Sequence, residues 1–378
     1  ASMGKTGTQS IGDHMWRTLY SPVSYGDKNA LIPTQLGNDK IKWESTVQKD
    51  LGLDFSFMRG RLGGTFGYYH KVTDGTLLNM TPAPSSSYST VVFNIAKIRN
   101  QGLEFDIHGD FIRKKDFRWT GSLNISRNVS KVLDINGGPF SDPNDRDALN
   151  LGTSVVKEGE PLGLLYGRVA TGIIKTQEQL EAAKEEFSLW TSFDPYLNLG
   201  DIAYEYENGS WKQDVIGHAT PDFFGGYTNT INWNRFTLTA LFTFSYGNDL
   251  IYQKDVSDSG MSSLANRGTR VLNHYSEDNT SSNRPRSMWG TTYMLSSLNV
   301  YDASYFKLKT LSLSYNLPES ICRKVRIKSA SVYGTATNVF TITSYPGPDP
   351  EVSDDPTSVI GGGRDVSTYP TVKSYTFG

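Results

Sequence analysis

The fold class that the sequence predicts is all-β, a transmembrane antiparallel β-barrel. Three observations predict it: apolar and polar residues alternate with period two over long stretches, these stretches are membrane-sized, and short turns alternate with long polar connections between them.

The alternation is clearest in four places. From Ile41 to Phe57 the odd positions include Ile41, Trp43, Val47, Leu51, Leu53, Phe55 and Phe57, against Lys42, Glu44, Gln48, Asp50 and Asp54. Leu103, Phe105, Ile107 and Phe111 alternate with Glu104, Asp106, His108 and Asp110. Phe117, Trp119, Leu123 and Ile125 alternate with Arg118, Thr120, Ser122 and Asn124, and Phe236 to Tyr246 repeats the pattern. Successive strand side chains point to opposite faces, so each stretch is apolar on one side and polar on the other. Soluble strands average about 5–6 residues. A tilted strand needs about 9–11 residues to cross the apolar layer, and these reach that length.

Short connections fall at Arg59-Gly60, Arg113 to Asp116, Asn234-Arg235 and Leu317 to Val325. Long polar ones are expected over 71–92, 134–221, 250–302 and 342–369. In outer-membrane barrels the short turns are periplasmic and the long loops extracellular. The spacing predicts about nine strands and an N-terminal stub, roughly 9–10 in all, with the last strand opening near Pro370 and heading back to the periplasm. Apolar residues change parity between Leu308 and Leu311, which predicts a bulge near Thr310. Within 134–221, Gln177 to Trp190 reads as a loop helix packed on the barrel rim. Thr176 and Gln179 make a capping box, and Leu180, Ala183 and Phe187 form its apolar stripe.

Composition is compatible with this class. Charged residues are 20%, aromatics 12%, and the mean hydropathy is -0.42, values shared by water-soluble proteins and by barrels whose polar lumen offsets an apolar exterior, so composition alone does not choose. The formal net charge of -2 points to no polyanion, so no nucleic-acid partner is expected. Cys322 is the only cysteine, which excludes an internal disulfide framework. No apolar run reaches the roughly 18 residues of a spanning helix.

Enzymatic and cofactor chemistry finds no support. His14, His70, His108, His218 and His274 form no pair at helical ligand spacing, so neither a metal nor another cofactor is expected. There is no G-x-S-x-G elbow, and Gly361 to Arg364 neither follows a strand nor opens a helix as a phosphate loop does. Glu104, Asp106, His108 and Asp110 share one polar face and are expected to line the lumen as a solvated wall, against the alternative of a proton-responsive cluster around His108. Trp16, Trp190, Trp211, Tyr275, Trp289 and Tyr293 fall in loop or rim regions. They are candidates for stacking on substrate, against the alternatives of an interfacial girdle or loop packing.

Several segments resemble the SusC/RagA family of TonB-dependent transporters, in that family's order. They are Leu36 to Glu44, Ile98 to Ile107, Gly159 to Gly167, Gly200 to Glu205, Val215 to Ile231, Phe244 to Tyr252, Asp302 to Pro318 and Ala336 to Glu351. The resemblance implies that the chain is the C-terminal part of a plugged barrel of about 22 strands. It also implies import of oligosaccharides or peptides across the outer membrane with a SusD-like surface lipoprotein as lid. The plug, the TonB-contacting segment and the signal sequence are expected to lie outside this chain. Residues 1–378 are then one portion of a barrel domain set in outer-membrane lipid, with 134–221 as a large extracellular insertion. Both ends read as incomplete strands, Ala1 to Gly4 closing one and Pro370 to Gly378 opening another. Where the family often carries an acidic D-x-N-x-D-G stretch, Glu205 to Ser210 lacks the carboxylate spacing of a hard-cation loop, so calcium is not carried over. A structural or adhesive outer-membrane barrel and a passive porin are the competing functions.

Overall fold

The computed structural model describes residues 1–8, 12–80, 84–86, 88, 91–135, 147–187, 197–207, 209–261, 264, 266–287, 293–355, 360 and 362–378. Ten strands form one antiparallel sheet: β1 (Ser2–Thr8), β2 (Glu44–Phe57), β3 (Leu62–Met80), β4 (Val91–Arg113), β5 (Phe117–Ile135), β6 (Phe223–Trp233), β7 (Phe236–Tyr246), β8 (Tyr305–Asn316), β9 (Ser331–Thr343) and β10 (Ser374–Phe377). Each pairs with its neighbour in sequence, so the sheet is an unbroken meander with β1 and β10 at its edges. This matches the stub and nine strands read from the alternation.

The register preserves the two faces from strand to strand. Phe105 pairs with Phe66 and Ile125, and Leu238 with Ile231 and Leu313. On the opposite face Asp106 pairs with Thr65 and Asn124, and Thr239 with Thr230 and Ser312. A one-residue slip on any strand would move its whole apolar set into the lumen. Aromatics concentrate near the short turns on the apolar face. Trp119 meets Phe111 at 5.1 Å, and Phe236 lies 6.3 Å from Trp233 and 4.7 Å from Tyr315. Such rings belong at a membrane interface, where an apolar body and a polar tip are both satisfied.

Three of the four short connections stand where the sequence placed them, and the fourth, expected to end at Val325, runs on to the start of β9 at Ser331. Asn234 adopts φ 53° in a two-residue hairpin, the backbone that keeps two right-twisted strands in register. Between β8 and β9 a short helix, Glu319–Lys324, buries Cys322. The bulge falls at Lys309, where the pairing of β8 skips from Leu308 to Thr310 on β9.

The long connections need correction. The expected polar stretch 71–92 is largely strand, because β3 continues to Met80 and β4 begins at Val91. Polar residues such as Lys71 and Thr73 suggest a loop, but Val91, Ile95 and Ile98 are buried, so the wall itself extends above the membrane-sized part. β2 begins at Glu44 rather than Ile41, and β10 at Ser374 rather than Pro370.

The upper wall is covered on its inward face by a body of loops. Residues 148–150, 154–157, 164–168 and 213–218 form a four-stranded antiparallel sheet. Leu149, Val156 and Leu162 pack with Val91, Ile98 and Val132 in one apolar core. Ile98 and Val132 share the face of Glu104 and Ser126, so this body sits over the mouth of the lumen. A second sheet ties two loops together: 249–252 pairs antiparallel with 300–302 and parallel with 364–365. The helix Gln177–Phe187 forms as expected, with both capping-box hydrogen bonds between Thr176 and Gln179 at 3.2 Å and Leu180 buried. It is described as far as Phe187, and the expected continuation to Trp190 lies outside the described residues.

Candidate functional site

The inward face of the sheet and the loop body above it make up the candidate site. The four wall residues singled out from sequence do share this face, but they divide into separate contacts. Asp106 Oδ1 lies 3.1 Å from His108 Nδ1, with both side chains about half exposed. Asp110 accepts from Arg118 Nε at 3.0 Å and from Arg118 Nη2 at 2.8 and 3.1 Å. Glu104 stands one pair along from Asp106, opposite Gly67 and Ser126. The Asp106–His108 pair stays hydrated and presents its groups to solvent at little cost, whereas Asp110 is 11% exposed beneath the Arg118 guanidinium.

Among the described residues, buried charge clusters around Lys307, Asp201 and Asp255 organise the loop body above this wall, and sequence reading singled out none of their charged members. Inside the mouth, Lys307 of β8 is 1% exposed. Its Nζ donates to Asp349 Oδ1 at 3.0 Å and to Glu351 Oε2 at 2.5 Å, while Lys309 reaches Glu351 at 2.8 Å. The segment after β9 therefore folds down onto the inward face of β8. Next to it is a cleft of about 400 Å³, bordered by Asn248, Tyr305, Glu351 and Asp355.

The second cluster centres on Asp201. Arg286 donates to it through Nε at 2.7 Å and Nη2 at 2.9 Å, and the Tyr293 hydroxyl donates at 2.9 Å. Burial pushes the Tyr293 hydroxyl far up, and the adjacent Asp201 carboxylate adds to the rise. The third centres on Asp255, which accepts from the Tyr301 hydroxyl at 2.6 Å and also binds Arg284 and Arg270. Each cluster joins residues distant in sequence, so together they fix how the loops interlock.

The aromatic candidates separate under this geometry. Tyr275 and Tyr293 come together in an apolar core with Ile173 and Ile202, and their rings are buried there. Trp211 is half-buried and packs edge-on against Tyr204 at 5.4 Å and Tyr206 at 5.0 Å. Burial raises the Tyr204 hydroxyl to about 12, so it stays protonated beside the Met294 carbonyl. Trp16 is half exposed and carries the Arg17 guanidinium 4.3 Å over its ring. Trp190 and Trp289 lie outside the described residues.

In the segment set aside as a calcium loop, Glu205 is ion-paired with Lys212 at 2.8 Å. The glycine run reads structurally: Gly363 has φ +91°, its carbonyl accepts from the Ile251 amide at 2.9 Å, and a Cβ there would stand 2.5 Å from Ala219. Only glycine lets that backbone close onto the loop body.

Residues 16–241 match the family model described as TonB dependent receptor-like, beta-barrel. The TonB-dependent receptor P3 of Formosa agariphila is 32% identical over all of this chain, which covers 38% of that protein. The TonB-dependent receptor SusC of Bacteroides thetaiotaomicron is 26% identical over 99% of the chain and 36% of its own length. The RagAB peptide transporter structure superposes with a TM-score of 0.78 at 23% identity, over 99% of this chain and 39% of that one, which shows a shared fold. The chain thus spans under two fifths of each of these three proteins. Its meander of membrane-sized strands, lipid-face aromatics and one-sided loops is a section of barrel wall, and the chain belongs to the TonB-dependent receptor-like β-barrel family of the outer membrane.

Proposed function

We propose that this chain is the C-terminal portion of the barrel of a SusC-like TonB-dependent importer of oligosaccharides or peptides, with 134–221 as its large extracellular insertion. In this reading the rest of the polypeptide supplies further barrel strands, the plug and the TonB-contacting segment, and a SusD-like surface lipoprotein closes over the mouth.

The observation that carries the reading is the loop body folded inward over a polar lumenal wall and pinned by buried ion pairs such as Lys307 to Asp349. An importer needs a fixed rim on which substrate and lid can be presented. Trp16 and Trp211 are the aromatic positions we assign to substrate, since each keeps part of its ring accessible. Glu104, Asp106, His108 and Asp110 line the path below.

Uptake decides between the functions. Cells lacking the full-length gene, and cells lacking only the TonB system, are given labelled oligosaccharides and labelled oligopeptides. Loss of uptake of one class in both strains is expected. Uptake that survives without TonB would mark a porin, and unchanged uptake of both classes would leave an adhesive role. Sidedness has its own check in a Cys322→Ser background of the full-length protein. An impermeant thiol reagent on whole cells is expected to label Asp278→Cys and spare Lys115→Cys in the β4–β5 turn. The reverse pattern would invert the topology.

A further inference from the structure

The outward face of β1 to β5 carries basic residues just past the apolar band, and the wall pairs none of them with a carboxylate. On β2, outward Phe57, Phe55, Leu53 and Leu51 are followed by Lys49. On β3, Phe66 and Tyr68 are followed by His70. On β4, Leu103 is followed by Gln101 and Arg99, and on β5, Ile125 is followed by Arg127, Val129 and Lys131. The pairing sets these positions side by side: Lys49 faces His70, His70 faces Gln101, Val72 faces Arg99, and Arg99 faces Lys131. Lys5 of β1 joins the same rows opposite Val47.

Within these rows there is no carboxylate. The first ones on this face, Asp74 and Asp134, come a step further out, and Asp134 there stands opposite Lys97. The Arg99 Nε is buried with no hydrogen-bond partner. Inward-facing Arg118 and Lys307, by contrast, both have carboxylates. On β6 and β7 the corresponding outward positions hold Phe223 and Tyr246, stacked at 5.2 Å, so the cationic strip is confined to one sector.

We infer that this strip binds the phosphate groups of a phosphorylated glycolipid in the outer leaflet. Height, facing and charge all fit that occupant. The strip begins where the apolar side chains end, on the face that meets lipid, at the end of the wall that carries the long loops. Long Lys and Arg side chains place their charge at headgroup level while their stems remain against acyl chains. Guanidinium groups at positions 99 and 127 offer forked donors to phosphate oxygens. The inference takes the outer-membrane placement as given and is independent of what the barrel imports.

Native mass spectrometry of the full-length protein in mild detergent tests it. The probes are bisphosphorylated lipid A and the same lipid with its phosphates removed. Wild type is expected to retain the phosphorylated form at roughly tenfold lower concentration or better, since basic residues near the surface attract anionic headgroups. The variant K49Q/R99Q/R127Q/K131Q is expected to hold both forms equally, with binding of the dephosphorylated form unchanged. Equal retention of the two lipids by wild type would overturn the inference, as would a phosphate preference that persists in the variant. Should the variant fail to insert, a salt titration of wild type decides: screened charges must lose the preference as ionic strength rises. A preference independent of salt would refute it.

Discussion

Replacing Lys307 by methionine is expected to free the segment after β9 from the inward face of β8, at a cost of about 3–5 kcal/mol. The ammonium is 1% exposed and Asp349 2% exposed, so removing the cation leaves a carboxylate buried without its partner. Hydrogen exchange over 345–352 of the full-length protein is expected to rise by several orders of magnitude, while the strands of the wall keep their protection. Restoring the balance by adding Asp349→Asn and Glu351→Gln should recover much of the loss, because a network made neutral no longer holds an unpaired charge. Unchanged exchange in Lys307→Met would show that the apolar contacts of Tyr345 and Val352 alone hold the segment.

The same clamp has a defined response to acid. Burial pushes the Asp349 carboxyl up, but hydrogen bonds from Thr371, the Glu351 amide and Lys307 outweigh it, and the group ends below its ordinary 3.8. Burial likewise raises Glu351, while Lys307 and Lys309 pull it below 4.5. A depressed carboxylate contributes stability that is complete above its unfolded value and is lost as pH falls through the folded one. The clamp therefore holds throughout the neutral and mildly acidic range, and it loosens only below the ordinary carboxylate values.

How much of this was legible in the sequence depended on which force fixed each part. The wall was legible because lipid on one side and water on the other impose a period of two on every strand, and tight hairpins leave short, recognisable gaps. Even the bulge at Lys309 showed, since one extra residue reverses the parity from Leu308 to Leu311. The upper halves of β3 and β4 were not legible. There successive residues are buried on both faces, so Val91, Val92, Ile95 and Ala96 follow no simple alternation.

The loop clusters escaped for a different reason. Asp201 and Arg286 lie 85 residues apart, and Asp255 and Arg284 lie 29 apart. Nothing local marks such pairs, because surface and buried charges look alike in a sequence. A signal did exist: Asp201, Lys307, Asp349 and Glu351 all fall inside the segments that resemble the SusC/RagA family. Acidic and basic residues inside such segments were better candidates for loop architecture than scattered aromatics. Tyr275 and Tyr293 make the same point, since their rings pack in the loop core around Ile202.

Asp201→Ala is the second change with a large expected effect, again about 3–5 kcal/mol, and it acts on the joint between two loops. Asp201 belongs to the insertion between β5 and β6, whereas Arg286 and Tyr293 belong to the loop between β7 and β8. The carboxylate is 5% exposed and accepts three hydrogen bonds across that joint. Its removal takes from the Arg286 guanidinium and the Tyr293 hydroxyl the carboxylate they share across the joint, and leaves the hydroxyl the weaker contact with the Arg286 carbonyl at 3.3 Å. Backbone bonds reinforce the joint: the Arg286 amide donates to the Gly200 carbonyl at 2.8 Å, and the Gly200 amide to Ile174 at 2.7 Å. Gly200 has φ +87°, and a Cβ there would lie 2.4 Å from Tyr275, so Gly200→Ala should damage the same joint through strain and overlap. The expected result for Asp201→Ala in the full-length protein is protease sensitivity in both loops at once, with barrel insertion intact by heat-modified mobility. Arg286→Met combined with Asp201→Leu should be milder than either single change, since both charges are then gone from the joint. Cleavage confined to one loop, or additive effects in the double variant, would mean that the two loops hold their shapes separately and that the ion pair does not join them.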